Sequence, residues 1–318
     1  MKAIRITLAT SLAVALAVFA ASPAAAAKQI FEIRDARGDD HGDGRIVYPL
    51  REEFERGDLD LISLRARKQK NSTVFEATFA NDIKVPERRA VDELGTQLDT
   101  LARFGFYTFN LDIYIDMDRE AGSGGVSALP GRNASLRSAW DRAVILTPQP
   151  AEAKSQLRRL VVDAMSEALR EGDENADEVR GRVRKQVPPN LDERVYFPTR
   201  IRVRGRTISF SVPDSFLGGP AQASWGYAVA VSGADLMQSL DLTARAGLAR
   251  ASRDTLMVLE VRSGTWKDFF GGGRDDAPLQ PPLIDILVPE GESQEEILRD
   301  FDSAGGRPVT LPAVVPAG

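Results

Sequence analysis

The 318-residue sequence contains no cysteine and a single histidine, His41. The missing cysteine excludes thiol nucleophiles, disulfides, iron–sulfur clusters and thiolate zinc sites together. With one histidine, a two-His metal centre of the HExxH kind cannot be built, and a Ser-His-Asp triad would have to use His41 itself. Haem ligation is disfavoured because Asp39, Asp40 and Asp43 crowd His41 where a haem iron needs an apolar pocket. A basic excess is also missing: Lys+Arg 41 stand against Asp+Glu 46, a formal net charge of −5 with no basic tail. Nucleic-acid binding relies on a concentrated basic surface that neutralises phosphates, so the balance argues against DNA or RNA, and likewise against an anionic membrane. What is present is a core. At 43% hydrophobic and 27% charged residues, the chain can bury one large domain and is not disordered throughout.

The N-terminus has the pattern of an export signal. Lys2 and Arg5 precede the mostly apolar stretch from Ile6 to Ala21, and the run Ala24 to Ala27 satisfies the A-x-A cleavage rule. Cleavage after Ala27 is expected, giving a periplasmic or secreted chain from Lys28 with no transmembrane span in its mature part. An uncleaved anchor is the weaker alternative, since the stretch is short and carries Thr7, Thr10 and Ser11.

Beyond the signal, short runs with period-two alternation recur, as in strands with one buried face. They lie at Leu59–Arg67, Thr73–Ala80, Asn110–Asp116, Arg142–Thr147, Arg200–Arg204, Thr207–Val212, Gly226–Ser232, Leu256–Arg262 and Ile284–Val288. Arg200 to Val212 is the clearest hairpin, turning at Gly205. Many short strands with few helices between them predict a mainly β chain, an antiparallel sandwich and not a doubly wound α/β sheet. Two stretches break this pattern. Residues 87–104 carry Val91, Leu94, Leu98 and Leu101 at helical spacing, and residues 151–186 place Leu157, Leu160, Val161, Ala164, Met165 and Leu169 on one face, then break at Gly172-Asp-Glu-Asn175 before a second short helix that Pro188-Pro189 ends. These are expected as helical insertions in one domain, 28–304, followed by a tail, 305–318. The second could pack on its own sandwich or dock a protein partner.

The densest chemical signal is Asp35-Ala-Arg-Gly-Asp39-Asp40-His-Gly-Asp43-Gly44. Carboxylates this close repel unless a cation or solvent compensates them, and the glycines let the backbone turn so that oxygens can converge. A hard cation that takes six to eight oxygens, calcium above all, fits Asp35, Asp39, Asp40 and Asp43, with Asp60 returning from the next strand. The spacing is not that of an EF-hand, and a solvated acidic turn is the competing reading. A second group, Asp112, Asp116 and Asp118, ends a strand; paired carboxylates could serve glycoside hydrolysis, but a strand end or further cation ligands is the commoner use.

Exposed flat rings are the natural platform for sugars. Trp140 and Trp225 directly precede strand runs and are expected in the core. Trp266, with Phe269 and Phe270, lies in a glycine-flanked loop and is the candidate platform, a buried loop anchor being the alternative.

Taken in order, Asp35 to Gly44 running into Tyr48-Pro49, Gly57-Asp-Leu-Asp-Leu61, Ile113-Tyr-Ile-Asp116, Ala128 to Asn133 with Trp140-Asp141, Trp225-Gly-Tyr-Ala-Val229 and Ile284 to Gly291 resemble the DOMON-like carbohydrate-binding module found at the C-terminus of glucodextranase and in amylopullulanase-associated proteins. The resemblance spans roughly residues 30 to 300. It implies a β-sandwich of DOMON-like or immunoglobulin-like kind, an exported location, a calcium-linked acidic loop and binding of α-glucan-like sugars, with Tyr48 joining Trp266, Phe269 and Phe270 as a sugar-contact candidate. The expectation is a non-catalytic carbohydrate-binding protein; the alternative is an envelope adaptor that binds a protein through its helical insertion.

Overall fold

The computed structural model describes residues 28–91, 95–170, 175–234, 236, 256–265, 267–274 and 276–317, with position 188 described by its backbone alone. The segment expected to be a signal, residues 1–27, and the expected sugar platform Trp266 lie outside the described residues. Numbering elements in chain order, the first sheet runs β1 (Gln29–Arg34), β2 (Leu61–Gln69), β3 (Ser72–Phe79), β10 (Thr207–Pro213) and β9 (Ile201–Arg204), antiparallel throughout. The second runs β12 (Asp285–Ile286), β11 (Gly226–Gly233), β4 (Phe109–Asp116), β7 (Arg142–Leu146) and β8 (Val195–Tyr196). A third, smaller sheet joins β13 (Val309–Leu311), β6 (Ala134–Trp140) and β5 (Gly125–Ser127). The protein is therefore mainly β and built from antiparallel sheets with a few helices, as the alternation predicts; β7–β8 and β6–β13 pair in parallel.

The sheets stack so that the second is covered on both sides. Phe31, Phe75, Phe79 and Phe210 of the first sheet meet Leu111, Ile113, Ile115, Tyr227 and Val229 of the second in one core. The opposite face of the second sheet, with Tyr114, Ile145 and Ala228, packs on Leu136, Trp140 and Leu311 of the third sheet and on Ala153 and Leu157 of a helix, forming another core. Every residue of β4 and β11 is accordingly buried. The alternating polar positions of β4 thus face a second interior, not water. Trp140 and Trp225 are core residues, as expected.

The helical stretches differ from expectation in detail. Among the described residues of 87–104 only Leu98–Leu101 is helical (α1), because Gly95 takes φ +76 and breaks the turn before it. The second stretch forms two helices, as expected, α2 (Pro150–Ala168) and α3 (Ala176–Arg194), but α3 is as long as α2 and continues through the Pro188-Pro189 pair that was expected to end it. Its last turns are tied to α2, where Lys154 and Arg158 both pair with Asp192. Val162 of α2 packs against Val179, Val183 and Val187, one i, i+4 face of α3. The expected strand at Leu256–Arg262 is absent except for single bridges at Val258 and Val261, because Leu256 and Met257 adopt positive φ, which no regular strand accommodates. The expected tail instead supplies β13, so the segment after residue 305 belongs to the fold. Two short helices complete the elements of the described residues, α4 (Asp214–Leu217) and α5 (Gln294–Arg299).

Candidate metal centre

Where β1 ends, Asp35 donates its backbone N–H to Ile62 on β2, and the chain leaves the sheet as the acidic loop. The loop is fixed from the far end of the sequence. Gly42 donates to the carbonyl of Ile284, the Gln294 side chain bridges Asp39 O and Ile286 N, and Arg299 donates to Asp43 O. Gly42 sits at φ +57, and a Cβ there would lie 2.6 Å from Ile46 Cγ1 and 2.8 Å from Leu283 O, so only glycine fits this approach to β12.

These contacts bring Asp35, Asp39 and Asp285 together, one carboxylate oxygen of each lying within 4.8 Å of the others. Asp60, at the mouth of β2, faces the same loop and accepts the Gly38 N–H at 2.7 Å. Each of the four keeps one buried oxygen with no hydrogen-bond partner: Asp35 Oδ2, Asp39 Oδ1, Asp60 Oδ1 and Asp285 Oδ1. Asp285 itself is 0% exposed. Orphaned carboxylate oxygens in a dry interior are costly unless something positive meets them. The electrostatics agree. Burial, then the charge of Asp39, pushes Asp35 up to about 8; burial, then contacts among its acidic neighbours, pushes Asp60 up to about 6; burial and the charge of Asp35 drive Asp285 well above the carboxylate range; Asp39 is also raised, chiefly by burial. An all-oxygen set of this kind suits a hard cation such as calcium.

Of the five residues expected to hold a metal, Asp35 and Asp39 meet Asp285 here, and Asp60 faces the same loop. Asp40 and Asp43 take other hydrogen-bond partners. Asp40 accepts the Tyr48 hydroxyl at 2.5 Å and the Gly57 N–H at 2.6 Å, while Asp43 accepts Arg45 Nε at 3.1 Å and Nη2 at 2.5 Å. These bonds shape the loop, and the charge of Asp40 still acts on Asp60. Asp285 was missed, although a carboxylate inside the apolar run Leu283 to Val288 was the available signal. His41 lies beside Asp39 in the loop and pairs through Nε2 with Glu295 Oε1 at 3.1 Å.

The second carboxylate group has a different fate. Asp112 is locked in an ion pair with Arg132, which donates Nε to Oδ2 at 2.6 Å and Nη2 to Oδ1 at 3.0 Å; both are almost fully buried. Tyr114 donates its hydroxyl to the same carboxylate and accepts the Leu129 N–H. Asp116, Asp118 and Asp141 cluster at the strand end, but accept the N–H groups of Arg119, Glu120 and Met117 respectively and so close their own turn.

The aromatic candidates separate by burial. Phe270 is 0% exposed and packs edge-on against Tyr48 and Phe54 at 5.3 and 5.6 Å, so its ring has no face for a sugar. Tyr48 is partly buried against the same core, and burial raises its phenol so that it stays a donor to Asp40. Phe269 is half-buried, with the Arg262 guanidinium 5.6 Å from its ring centre. Beside Arg262 opens a polar cleft of about 410 Å³ bordered by Asn133, Glu260, Arg274 and Gln280.

Among curated proteins no match is found. Residues 30–315, nearly the whole of the described chain, match the family of C-terminal, SLH-like binding modules of glucodextranase. The family is a binding module and not a catalytic domain, and none of the described helices is long and apolar enough to cross a membrane. The β-sandwich, the order of its motifs and this match together place the chain in the glucodextranase C-terminal binding-module family.

Proposed function

We propose that this chain is an exported, non-catalytic carbohydrate-binding protein that recognises α-glucan-type sugar and is held in shape by calcium at Asp35, Asp39, Asp60 and Asp285. Family membership over residues 30–315 carries the carbohydrate reading. The carboxylates that could have served as an acid–base pair support the non-catalytic part, since Asp112 is held by Arg132 and Asp116 by the Arg119 N–H. For the sugar, the partly exposed Phe269 beside the polar cleft of Glu260, Arg262, Asn133 and Gln280 combines a ring face with hydrogen-bonding groups, the two things a sugar ring requires. Calcium rests on the four unpartnered oxygens. Export rests on the segment before Lys28. The helical pair gives the adaptor alternative little support, because Ala153 and Leu157 pack on the sandwich and Val162 on the valines of α3.

The test is co-sedimentation of the mature protein with insoluble α-glucan in calcium and in chelator. Retention on the pellet is expected, stronger in calcium; a protein that stays in the supernatant in both conditions overturns the sugar assignment.

A further inference from the structure

The outward face of the first sheet has a charge unlike that of the chain as a whole. Arg65 and Arg67 project from β2 and Arg202 and Arg204 from β9, the two pairs flanking a groove of about 420 Å³. Cross-strand register sets them in rungs: Arg65 lies opposite Glu76, Glu76 opposite Ser209 and Ser209 opposite Arg202, while the next rung runs Thr78, Thr207, Arg204. With β2 and β9 three strand spacings apart, the two arginine pairs stand ~14 Å from one another. The floor between them is short and hydroxylic: Thr78 and Thr207 face each other at 3.2 Å, and Ser209 lies beside them.

Four arginines against one glutamate line this groove in a protein whose net charge is −5. Glu76 binds Arg67 and lies 3.8 Å from Arg65, which also pairs with Glu32 of β1 at 3.1 Å, so the uncompensated charge of the groove is that of the β9 pair. Arg202 and Arg204 are exposed and have no carboxylate partner among the described residues. β9 closes the sheet, where exposed charge protects the edge, whereas Arg65 and Arg67 lie on β2, which is paired on both sides, and are held in cross-strand ion pairs with Glu32 and Glu76. Among the described residues none of the helices or of the third sheet covers this face, since α2 and the third sheet pack across the second sheet.

We propose that this face is a second binding surface, for a linear polysaccharide bearing carboxylate groups. Guanidinium forks match carboxylates in plane and charge, and the hydroxyl floor suits sugar hydroxyls between them. The choice of a polysaccharide over another polyanion rests on the carbohydrate-binding reading above; the groove shares no lining residue with the cleft at Arg262, so the two surfaces can be tested apart. The probe is polygalacturonate, titrated by calorimetry into mature protein, with neutral amylose and polyphosphate as comparisons.

Binding of polygalacturonate is expected to weaken with added salt, and Arg202→Gln/Arg204→Gln is expected to weaken it about tenfold or more, the scale of one or two lost charge-assisted hydrogen bonds. Both side chains are exposed, so the thermal midpoint of the variant should stay that of the parent, and amylose retention should be unchanged. Polygalacturonate binding without amylose binding would defeat the α-glucan reading and leave this one standing. No polygalacturonate binding, unaltered binding by the double variant, or equal binding of polyphosphate overturns it.

Discussion

Asp285 Oδ2 accepts the backbone N–H of Leu61 at 2.6 Å, so the residue next to Asp60 is fastened to a carboxylate 224 positions further along the chain. That bond uses one oxygen of Asp285 and leaves the other facing Asp35 and Asp39. The cluster therefore joins the first strands to the penultimate one, and whatever fills it links both ends of the domain.

Calcium should raise the thermal midpoint. A cation that binds the folded but not the unfolded chain stabilises by about 2.7 kcal/mol at a hundredfold excess over its dissociation constant, which for a chain of this size is a few degrees. Asp285→Asn and Asp35→Asn should erase the difference between calcium and chelator, whereas Asp43→Asn, which disturbs the Arg45 pair, should keep it. Identical melting with calcium and chelator, and no metal by elemental analysis, would return the loop to a solvated acidic turn.

The calcium-free protein should lose stability as pH rises. Asp35 at about 8 and Asp60 at about 6 hold their protons in the folded state, while the unfolded chain releases them near the ordinary value of 3.8. The folded state thus binds more protons between these limits, and stability falls with rising pH from about 4 to about 8. Calcium needs the ionised carboxylates and should reverse this slope. Urea midpoints at pH 5 and pH 8, with calcium and with chelator, check both signs.

Removing one partner of the buried ion pair should be severe. Arg132→Met leaves Asp112 charged, dry and facing only Tyr114, at a cost of about 3–5 kcal/mol. Asp112→Asn should be severe as well, because it leaves a guanidinium 1% exposed without a counter-charge and turns an amide NH2 toward one of its two donors. Chemical denaturation measures both, and a small loss in either variant would mean that the remaining charge is compensated elsewhere.

The two neighbouring phenylalanines should behave differently. Phe270→Ala empties a packed core position and should cost about 3–5 kcal/mol. Phe269→Ala should leave the midpoint almost unchanged while reducing retention on α-glucan. Unchanged retention would move the sugar away from this loop.

Much of the fold was legible from alternation. The hairpin of β9 and β10 around Gly205, and the strands near residues 73, 110, 142 and 226, each show β-branched or aromatic residues at period two. In β4 that period misleads about surroundings, because Asn110, Asp112 and Tyr114 are polar yet buried: Asn110 donates to Gly233 and Met257 carbonyls, and Asp112 takes Arg132. A polar residue satisfied by a distant partner has the same signature as one facing water.

By itself the sequence determined a mainly β chain without thiol or paired-histidine chemistry, an acidic loop rich in glycine and the identity of its family. Local composition settles such matters. Tertiary structure alone decided which carboxylates meet, turning Asp40 to Tyr48 and Asp43 to Arg45 while carrying Asp285 in from β12. It also decided that Phe270 is core and that four arginines share one outward face. Convergence across 250 residues depends on sheet register and on which oxygen each backbone N–H claims, and neither is written in the spacing of residues along the chain.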